Sequence, residues 1–267
     1  MKIHPTAQVS SKAELGDNVE VGAYAFIGPD VKVGDDCVIG HGCHIEGRVT
    51  MGRNNLLSPH VVLGTPPQDL KYHGEPTELL VGDDNVFREF FTANTGTAVG
   101  GGVTRIGSRN YLMICSHVGH DCTVEDDVIL VNGVLLGGHC HVETGAKLMG
   151  AAAANPFVTI GTQSYVGGLT RVIHDVAPYM IVEGNPARVR GVNEIGLQRA
   201  GFRTEVIEEL WEAYKAIWRT RDLNRTPIFD VIENRPGASA EVVYLVTFLR
   251  RSLEGMHGRY RQNLRKG

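Results

Sequence analysis

Several features typical of membrane, secreted and nucleic-acid-binding proteins are missing from this chain of 267 residues. No apolar run approaches the roughly 20 residues that span a bilayer, and the N-terminus, MKIHPTAQVSS, lacks the apolar core of a signal peptide. A formal net charge of −4 argues against general binding of nucleic acid. These absences predict a soluble cytoplasmic protein without an integral membrane segment and without a nucleic-acid partner.

What the chain does have is a six-residue period. Large aliphatic residues recur every six positions in two series, and glycine follows most members of the first. The two series are Leu15, Val21, Ile27, Val33, Ile39, Ile45, Met51, Leu57 and Leu63, and Ile106, Leu112, Val118, Val124, Leu130, Leu136, Val142, Leu148, Ala154, Ile160, Val166 and Val172. A period of six matches neither a helix nor a lone strand, but it fits a short strand followed by a tight corner.

The residue four positions after each aliphatic one is mostly small, as at Val19, Ala25 and Val31. Each unit therefore has one large and one small inward residue. Three units per coil place residues 18 apart above one another, at the roughly 4.8 Å spacing of paired strands. The pattern predicts a mainly β fold, a triangular parallel β-helix whose coils contact only their neighbours. Spacing does not determine its hand, and general crossover rules favour a right-handed one.

Cysteine is scarce: the chain has five, an odd number, and no CxxC motif. Four of them, Cys37, Cys43, Cys122 and Cys140, fall in the small inward position, and the last two are expected to stack. We interpret all four as buried fillers, with a disulfide or a metal site as the alternative.

The period ends near Val172, and the chain turns helical from about residue 192. The spacing predicts a helix with Thr204 as its N-cap, a short helix over Pro227–Glu233 and another from about Ser239. We expect a β-helix domain over 1–191 and a C-terminal helical domain over 192–267. Two excursions, 65–80 and 94–104, interrupt the period, and excursions are where a solenoid usually carries its function.

The sharpest candidate site lies at His117–Cys122, where Val118 and Cys122 point inward. His117, His120 and Asp121 should then lie on or near the outer surface. His120 with an adjacent carboxylate suits a general base whose tautomer Asp121 sets.

About one coil later, His139 should lie above His120. Gly137 and Gly138 precede it and leave backbone N–H groups able to stabilise an oxyanion. Clustered histidines also suit zinc, as in the trimeric β-helix carbonic anhydrases, but we predict no metal. A histidine on a flat face of the β-helix does not form a substrate pocket by itself. We therefore expect a homotrimer with active sites in the grooves between subunits.

With these residues in view, the chain resembles the acyl-carrier-protein-dependent UDP-N-acetylglucosamine O-acyltransferases, a hexapeptide-repeat family that begins lipid A biosynthesis. The resemblance covers nearly the whole chain. Its most specific motifs are Gln68–Tyr72 with Gly74–Pro76, His117–Val124, Gly184–Asn185, Gly191–Asn193 and Gly201–Phe202.

The resemblance implies a left-handed β-helix and transfer of a 3-hydroxyacyl chain to the 3-hydroxyl of UDP-N-acetylglucosamine, with acyl-carrier-protein thioester as donor and no cofactor. It implies His120 as base, Asp121 as its orienting partner and Gly138 as the oxyanion donor. The substrate contacts it implies are Gln68, Asp69, Lys71, His117, His139, Asn155, Asn193 and Arg199, and Gly168 as the residue that tunes acyl-chain length.

The chain departs from the family pattern at four places. Asn155 and Asn94 stand where the family has histidine, Glu194-Ile195 replaces an apolar residue followed by Glu, and Pro186 replaces a histidine. These departures leave open N-acyl transfer to a 3-amino sugar, another nucleotide sugar, or, from other classes, a zinc protein or a non-catalytic scaffold.

An acidic acyl-carrier protein requires a basic docking surface. The helical region carries 13 Lys and Arg against 10 Asp and Glu. The candidates for docking are Arg219, Arg221, Arg225, Arg259, Arg261, Arg265 and Lys266.

Overall fold

The computed structural model describes residues 1–220 and 226–264. Its strands are β1 (Lys2–Ile3), β2 (Gln8–Val9), β3 (Glu14–Leu15), β4 (Glu20–Val21), β5 (Phe26–Ile27), β6 (Val31–Val33), β7 (Val38–Ile39), β8 (His44–Ile45), β9 (Arg48–Met51), β10 (Leu56–Leu57), β11 (Val62–Thr65), β12 (Glu78–Val81), β13 (Val86–Phe87), β14 (Thr92–Asn94), β15 (Val103–Ile106), β16 (Tyr111–Leu112), β17 (His117–Val118), β18 (Thr123–Val124), β19 (Ile129–Leu130), β20 (Leu135–Leu136), β21 (His141–Val142), β22 (Lys147–Leu148), β23 (Ala153–Ala154), β24 (Thr159–Ile160), β25 (Tyr165–Val166), β26 (Arg171–Val172), β27 (Met180–Glu183) and β28 (Arg188–Val192). The helices are α1 (Glu194–Arg199), α2 (Thr204–Trp218), α3 (Thr226–Glu233) and α4 (Ala240–Glu254), with 3₁₀ turns at Ala98–Gly100 and Tyr260–Leu264.

Three sheets of 11, 9 and 8 strands, parallel except for the final β27–β28 pair, form the faces of a left-handed β-helix. Successive coils pair residues 18 apart, as Glu20 with Val38 and Thr123 with His141. The small inward position is buried throughout, including all four predicted filler cysteines. The predicted fold and its interior are therefore confirmed, because one large and one small side chain per unit fill a narrow triangular interior.

Many of the corners turn with a residue at positive φ, and the three corners differ in composition. The polar corner consists of Asn18, Asp36, Asn54, Asp84, Arg109, Asp127, Gly145 and Gln163. The apolar corner consists of Tyr24, Gly42, His60, Phe90, Cys115, Gly133, Ala151 and Leu169. The histidine corner contains Asp121, His139 and Phe157, one above another.

Three buried asparagines replace the small filler where the excursions leave the helix. The backbone N–H and the side-chain amide of Asn85 both donate to Asn55 Oδ1 at 3.0 Å, and the Asn110 N–H donates to Asn85 Oδ1 at 2.9 Å. The six-residue period did not predict this ladder, since it marks size rather than polarity. The Asn55 and Asn85 amides donate to the Gly82 and Gly107 carbonyls of the next coil, and Asn110 Oδ1 accepts from the Val128 N–H, so each side chain bonds the backbone of a neighbouring coil.

The two excursions lengthen their coils by different amounts. Leu79 pairs with Val49, 30 positions earlier, and with Thr104, 25 positions later, where regular coils pair residues 18 apart. The first excursion therefore adds two whole units and keeps the phase. The second adds seven residues and shifts the phase by one, as the sequence pattern indicated.

Beyond the last full coil, β27 and β28 form an antiparallel hairpin that the sequence did not predict. α1 begins at Glu194 after this hairpin, and a second hydrophobic core joins Met180 and Val192 to the helices. Among the described residues, the structure contains no helix long and apolar enough to cross a membrane.

The predicted helices are present, with small corrections. Thr204 is the first residue of α2 rather than its N-cap, a position that Arg203 occupies in extended conformation. In α4 the buried residues are Val242, Leu245, Val246 and Phe248, while Leu249 is only partly buried.

Candidate active site

His120 and Asp121 form a short hydrogen bond at the histidine corner. His120 Nδ1 lies 2.7 Å from Asp121 Oδ2, and the two side chains are 14% and 1% exposed. A carboxylate can only accept, so the proton lies on Nδ1 and the Nε2 lone pair is free to take another. The pair is therefore prepared as a general base with a fixed tautomer.

Asp121 is buried, and the expectation that it lies on or near the surface was wrong for this residue. The second excursion folds over the corner and covers the carboxylate. The backbone N–H of Thr97 donates to Oδ1 at 2.8 Å and its hydroxyl donates to Oδ2 at 2.7 Å. Beneath, the Asp121 N–H donates to Thr104 Oγ1 at 2.8 Å.

Burial by itself raises the pKa of Asp121, but hydrogen bonds from His120 and Thr97 outweigh that effect and hold the pKa below its ordinary value. The carboxylate therefore stays ionised at neutral pH. An ionised partner favours the imidazolium that forms when His120 accepts a proton.

His139 lies over the same carboxylate, as its spacing from His120 predicted. Its Nε2 lies 3.6 Å from Asp121 Oδ2, and its ring meets the His120 ring edge-on with centroids 5.1 Å apart. Phe157, one coil further, stacks on the His139 ring at 4.3 Å, with 6° between the planes. From the C-terminal segment, Arg261 Nε donates to the His139 carbonyl at 3.3 Å.

His117 lies on β17, just before the corner. Its Nδ1 is 2.7 Å from Thr92 Oγ1. Burial lowers its pKa, with a smaller contribution from the nearby His120, so His117 is neutral at physiological pH. A neutral imidazole at this place can hydrogen bond a sugar without adding a charge beside the base.

Gly138 lies against the free edge of the His120 ring. A β-carbon at this position would come within 2.5 Å of His120 Nε2, so only glycine leaves the base nitrogen open. In the described part of the chain, no acceptor pairs with the Gly138 N–H, while its carbonyl accepts from Phe157 N. A donor thus adjoins the base nitrogen, which is the arrangement that an oxyanion requires.

The donor atoms of His120, Asp121 and His139 lie within 4.8 Å of one another, close enough to hold a metal ion. Asp121 Oδ2, however, already accepts hydrogen bonds from Thr97 and His120. A metal would have to displace both donors. The chemistry of the donors therefore fits a hydrogen-bonded base better than a metal centre.

The first excursion carries Gln68, Asp69 and Lys71 at its exposed tip. Asp69 Oδ1 accepts from the Lys71 N–H at 3.0 Å, a local bond that closes the turn. Asn94 connects its base to the second excursion, since its amide donates to Thr65 Oγ1 at 2.9 Å and to the Pro66 carbonyl at 3.0 Å. The asparagine that departs from the family pattern therefore binds backbone and side chain of the first excursion.

The remaining predicted residues are spread over the fold. Asn155 is half-buried in the next coil, where its carbonyl accepts from Cys140 Sγ at 3.2 Å. Gly168 is exposed beside the apolar corner. Asn193 is buried and donates to the Gln163 carbonyl at 2.8 Å, beneath the polar corner, and Arg199 is exposed at the end of α1. The structure brings His117, His120, Asp121, Gly138 and His139 together, whereas Asn193 and Arg199 lie at another corner; all these assignments stay predictions.

Sequence reasoning missed Thr97, Thr104 and Phe157. Thr97 and Thr104 belong to the excursion, whose non-periodic path gives no facing rule. Phe157 could have been found, since it lies 18 residues after His139 and therefore directly above it.

A hexapeptide β-helix with a carboxylate-paired histidine at its corner and an open glycine beside it defines the class of hexapeptide-repeat transferases. A family model described as bacterial transferase hexapeptide matches residues 30–65, and one described as UDP N-acetylglucosamine O-acyltransferase, domain 2, matches residues 175–257.

Two relatives resemble the chain along nearly its full length. The acyl-[acyl-carrier-protein]–UDP-N-acetylglucosamine O-acyltransferase of Anaeromyxobacter sp. (strain Fw109-5) is 48% identical over 96% of this chain and 99% of its own. That of Syntrophobacter fumaroxidans is 44% identical over the same shares. A UDP-N-acetylglucosamine acyltransferase structure from Bacteroides fragilis superposes with a TM-score of 0.89 at 33% identity, covering 92% of this chain and 96% of that one. The chain belongs to the family of acyl-[acyl-carrier-protein]–UDP-N-acetylglucosamine O-acyltransferases.

Proposed function

We propose that this protein transfers a 3-hydroxyacyl chain from acyl-carrier protein to the 3-hydroxyl of UDP-N-acetylglucosamine, the first step of lipid A biosynthesis. The observation that carries the proposal is the 2.7 Å bond between His120 and Asp121, beside a glycine that leaves Nε2 open. Family membership supplies the substrates. The proposal places the reaction in the cytoplasm, and the reaction needs no cofactor because a thioester is already activated.

In the proposed mechanism, His120 Nε2 removes the proton of the sugar hydroxyl as the oxygen attacks the thioester carbonyl. Asp121 stabilises the imidazolium. The Gly138 N–H binds the oxyanion of the tetrahedral intermediate. When the intermediate collapses, the C–S bond breaks, and the imidazolium returns its proton to the leaving thiolate, so that an ester and a free thiol result. The base contributes about 10²–10⁴-fold and the oxyanion donor about 10²–10³-fold.

The substrate contacts follow from position. Lys71 at the exposed tip of the first excursion suits a phosphate, and Gln68 and Asp69 suit sugar hydroxyls. Gly168 lies at the opposite edge of the sheet face that also bears His117. A β-carbon there would meet only the Gly150 carbonyl, at 3.3 Å, so the position leaves room for a long acyl chain.

The proposal includes a homotrimer, and the apolar corner supports it. Tyr24, Phe90 and Leu169 are 75%, 55% and 80% exposed, although each takes a left-handed conformation that L-residues avoid. Large apolar side chains on a strained corner suit a surface that a second copy covers. Within one chain, Asn193 and Arg199 lie away from the histidine corner. In the proposed homotrimer, the Asn193–Arg199 segment of a neighbouring copy would lie close to that corner.

Some of the basic residues expected to bind the acyl-carrier protein are already bonded within the chain. Arg259 Nη1 donates to the Ile173 carbonyl at 2.8 Å, and Arg261 bonds the His139 carbonyl, so both face the β-helix. Arg219 lies over the Tyr214 ring. Arg221, Arg225, Arg265 and Lys266 lie outside the described residues. We keep Arg219 as the docking residue to test by charge reversal.

The testing experiment measures acyl transfer from 3-hydroxyacyl-carrier proteins of several chain lengths to UDP-N-acetylglucosamine and to its 3-amino analogue, with wild type and His120→Ala. Turnover on the hydroxyl sugar that is lost in the variant is expected. Turnover on the amino sugar alone would replace the proposed reaction with N-acylation, and no turnover on either sugar by folded protein would refute the proposal.

A further inference from the structure

The second excursion encloses a single carboxylate. Its seven added residues leave the coil before Thr97 and rejoin it at Thr104, and between these points they fold over Asp121. Thr97 is 5% exposed and supplies both of the excursion's hydrogen bonds to that carboxylate, one to each oxygen. One residue therefore closes the outer side of Asp121.

The Thr97 hydroxyl is oriented by a further bond. The Gly100 N–H donates to Thr97 Oγ1 at 3.1 Å, so a lone pair of the hydroxyl is occupied and its proton points to Asp121 Oδ2. The same oxygen accepts from His120 Nδ1 at 2.7 Å. Oδ2 is thus held between the two donors, and its position sets the direction of the His120 ring.

The excursion approaches the carboxylate as closely as a backbone can. A β-carbon on Gly100 would collide with the Asp121 carboxylate, and one on Gly96 would come within 2.9 Å of Oδ1. The Asp121 side chain is 1% exposed, and hydrogen bonds in such a buried environment are stronger than those in water.

We propose that Thr97 is a positioning residue for acyl transfer, which acts by fixing the Asp121 carboxylate that orients His120. The inference rests on the proposed function and adds to it a residue outside the His120–Asp121 pair. Without the hydroxyl, Oδ2 loses one of its two donors and the carboxylate can rotate, so the base nitrogen is misaligned with the sugar hydroxyl.

The experiment compares Thr97→Val with Thr97→Ser and with a matched control, Thr95→Val. Thr95 is also buried in the same excursion, but its hydroxyl pairs with Thr77 Oγ1 at 3.0 Å instead of with Asp121. We expect Thr97→Val to lower kcat about tenfold, the effect of one charge-assisted hydrogen bond, with KM for the sugar little changed. Thr97→Ser should retain kcat within about twofold, because the serine hydroxyl reaches the same oxygen.

A double-mutant cycle separates positioning from general loosening. In an Asp121→Asn background, Thr97→Val should cause no further loss of kcat, since the group through which it acts is already altered. A full tenfold loss in that background, or equal losses in Thr97→Val and Thr95→Val, would overturn the inference.

A readout that needs no turnover keeps this test apart from the test of the proposed function. In protein labelled with ¹⁵N-histidine, the His120 Nδ1 proton, assigned with His120→Gln, should resonate far downfield. It should shift in Thr97→Val and stay in place in Thr95→Val. An unchanged signal in both would refute the role of Thr97, whereas absent wild-type turnover would refute only the acyltransferase reaction.

Discussion

Asp121 and Asp127 lie six residues apart in one coil, and both turn a corner with φ close to +60°. Asp127 is half-exposed and bonds Arg109 Nε at 2.9 Å on the polar corner. Asp121 is buried beneath the second excursion and holds His120. The same residue in the same backbone conformation is a surface ion-pair member at one corner and part of a site at the other.

The difference comes from what covers each corner. Asparagine and aspartate are favoured wherever a corner needs positive φ, so the type of residue alone reports only backbone geometry. The excursion excludes solvent from one aspartate, and hydrogen bonds from His120 and Thr97 keep that aspartate ionised. The apolar corner extends the comparison, since Tyr24, Phe90 and Leu169 have similar φ values with side chains that neither solvent nor turn geometry favours.

The largest contrast is expected from neutralising each aspartate. Asp121→Asn should lower kcat by about 10²–10⁴-fold, because the amide cannot stabilise the imidazolium of His120. Asp127→Asn should leave kcat within about twofold, since an exposed ion pair contributes little. Steady-state acyl transfer with both variants checks the pair, and similar losses in the two would remove the distinction between these corners.

A smaller effect is expected from adding one methyl group at the histidine corner. Gly138→Ala should reduce kcat about 10²-fold, since its β-carbon would displace His120 Nε2. Gly150→Ala is the matched control, because a β-carbon there meets no atom closer than 3.7 Å. Kinetics should be accompanied by thermal unfolding. Loss of activity in the control as well would point to general disturbance of the coils.

The proposed contact between copies at the apolar corner is tested by placing an aspartate, as found at the polar corner, at one of its positions. Leu169→Asp should weaken self-association about 10–100-fold, because a charge would be buried in the proposed contact between copies. Asn18→Asp adds the same charge at an exposed polar-corner position and should leave association unchanged. Sedimentation equilibrium across a dilution series measures both. If Leu169→Asp associates like wild type, the contact between copies lies elsewhere.

A pH-dependent effect on stability, rather than on activity or assembly, is expected from Asp175, a buried aspartate that contrasts with Asp121. Its Oδ1 accepts from the Thr159 N–H at 2.7 Å and its Oδ2 from the Tyr260 N–H at 2.9 Å. Burial outweighs these bonds and the nearby Arg259 and raises the pKa of Asp175 to about 6. Asp121, with its lowered pKa, contributes stability above about pH 4 that is lost on acidification. The contribution of Asp175 to stability depends on pH in the opposite direction.

Because the folded state favours protonated Asp175, its contribution to stability is full below about pH 4 and is lost as pH rises through about 6. Two pKa units correspond to about 3 kcal/mol. The free energy of unfolding of Asp175→Asn, relative to wild type, should therefore increase by up to that amount between pH 4 and pH 7. Urea unfolding at several pH values measures it, and a constant difference would contradict the raised pKa.

The periodic part of the molecule could be predicted from sequence, and the aperiodic part could not. Val118 and Cys122 were assigned to the interior by spacing alone, and the same spacing placed His139 over His120. The burial of Asp121 was missed, because it depends on the path of residues 94–104, which follow no period. The β27–β28 hairpin was missed for the same reason, since it pairs antiparallel after the last coil.

The bond between Arg261 and the His139 carbonyl has a practical consequence for handling the protein. The C-terminal segment returns across the last coils, and Arg259 and Tyr260 are also bonded there. The first strand, by contrast, lies at the far end of the solenoid with Lys2 and Ile3 exposed. An affinity tag or fluorescent fusion is therefore better attached at Met1 than after Gly267. A C-terminal fusion would disturb the segment that contacts the histidine corner.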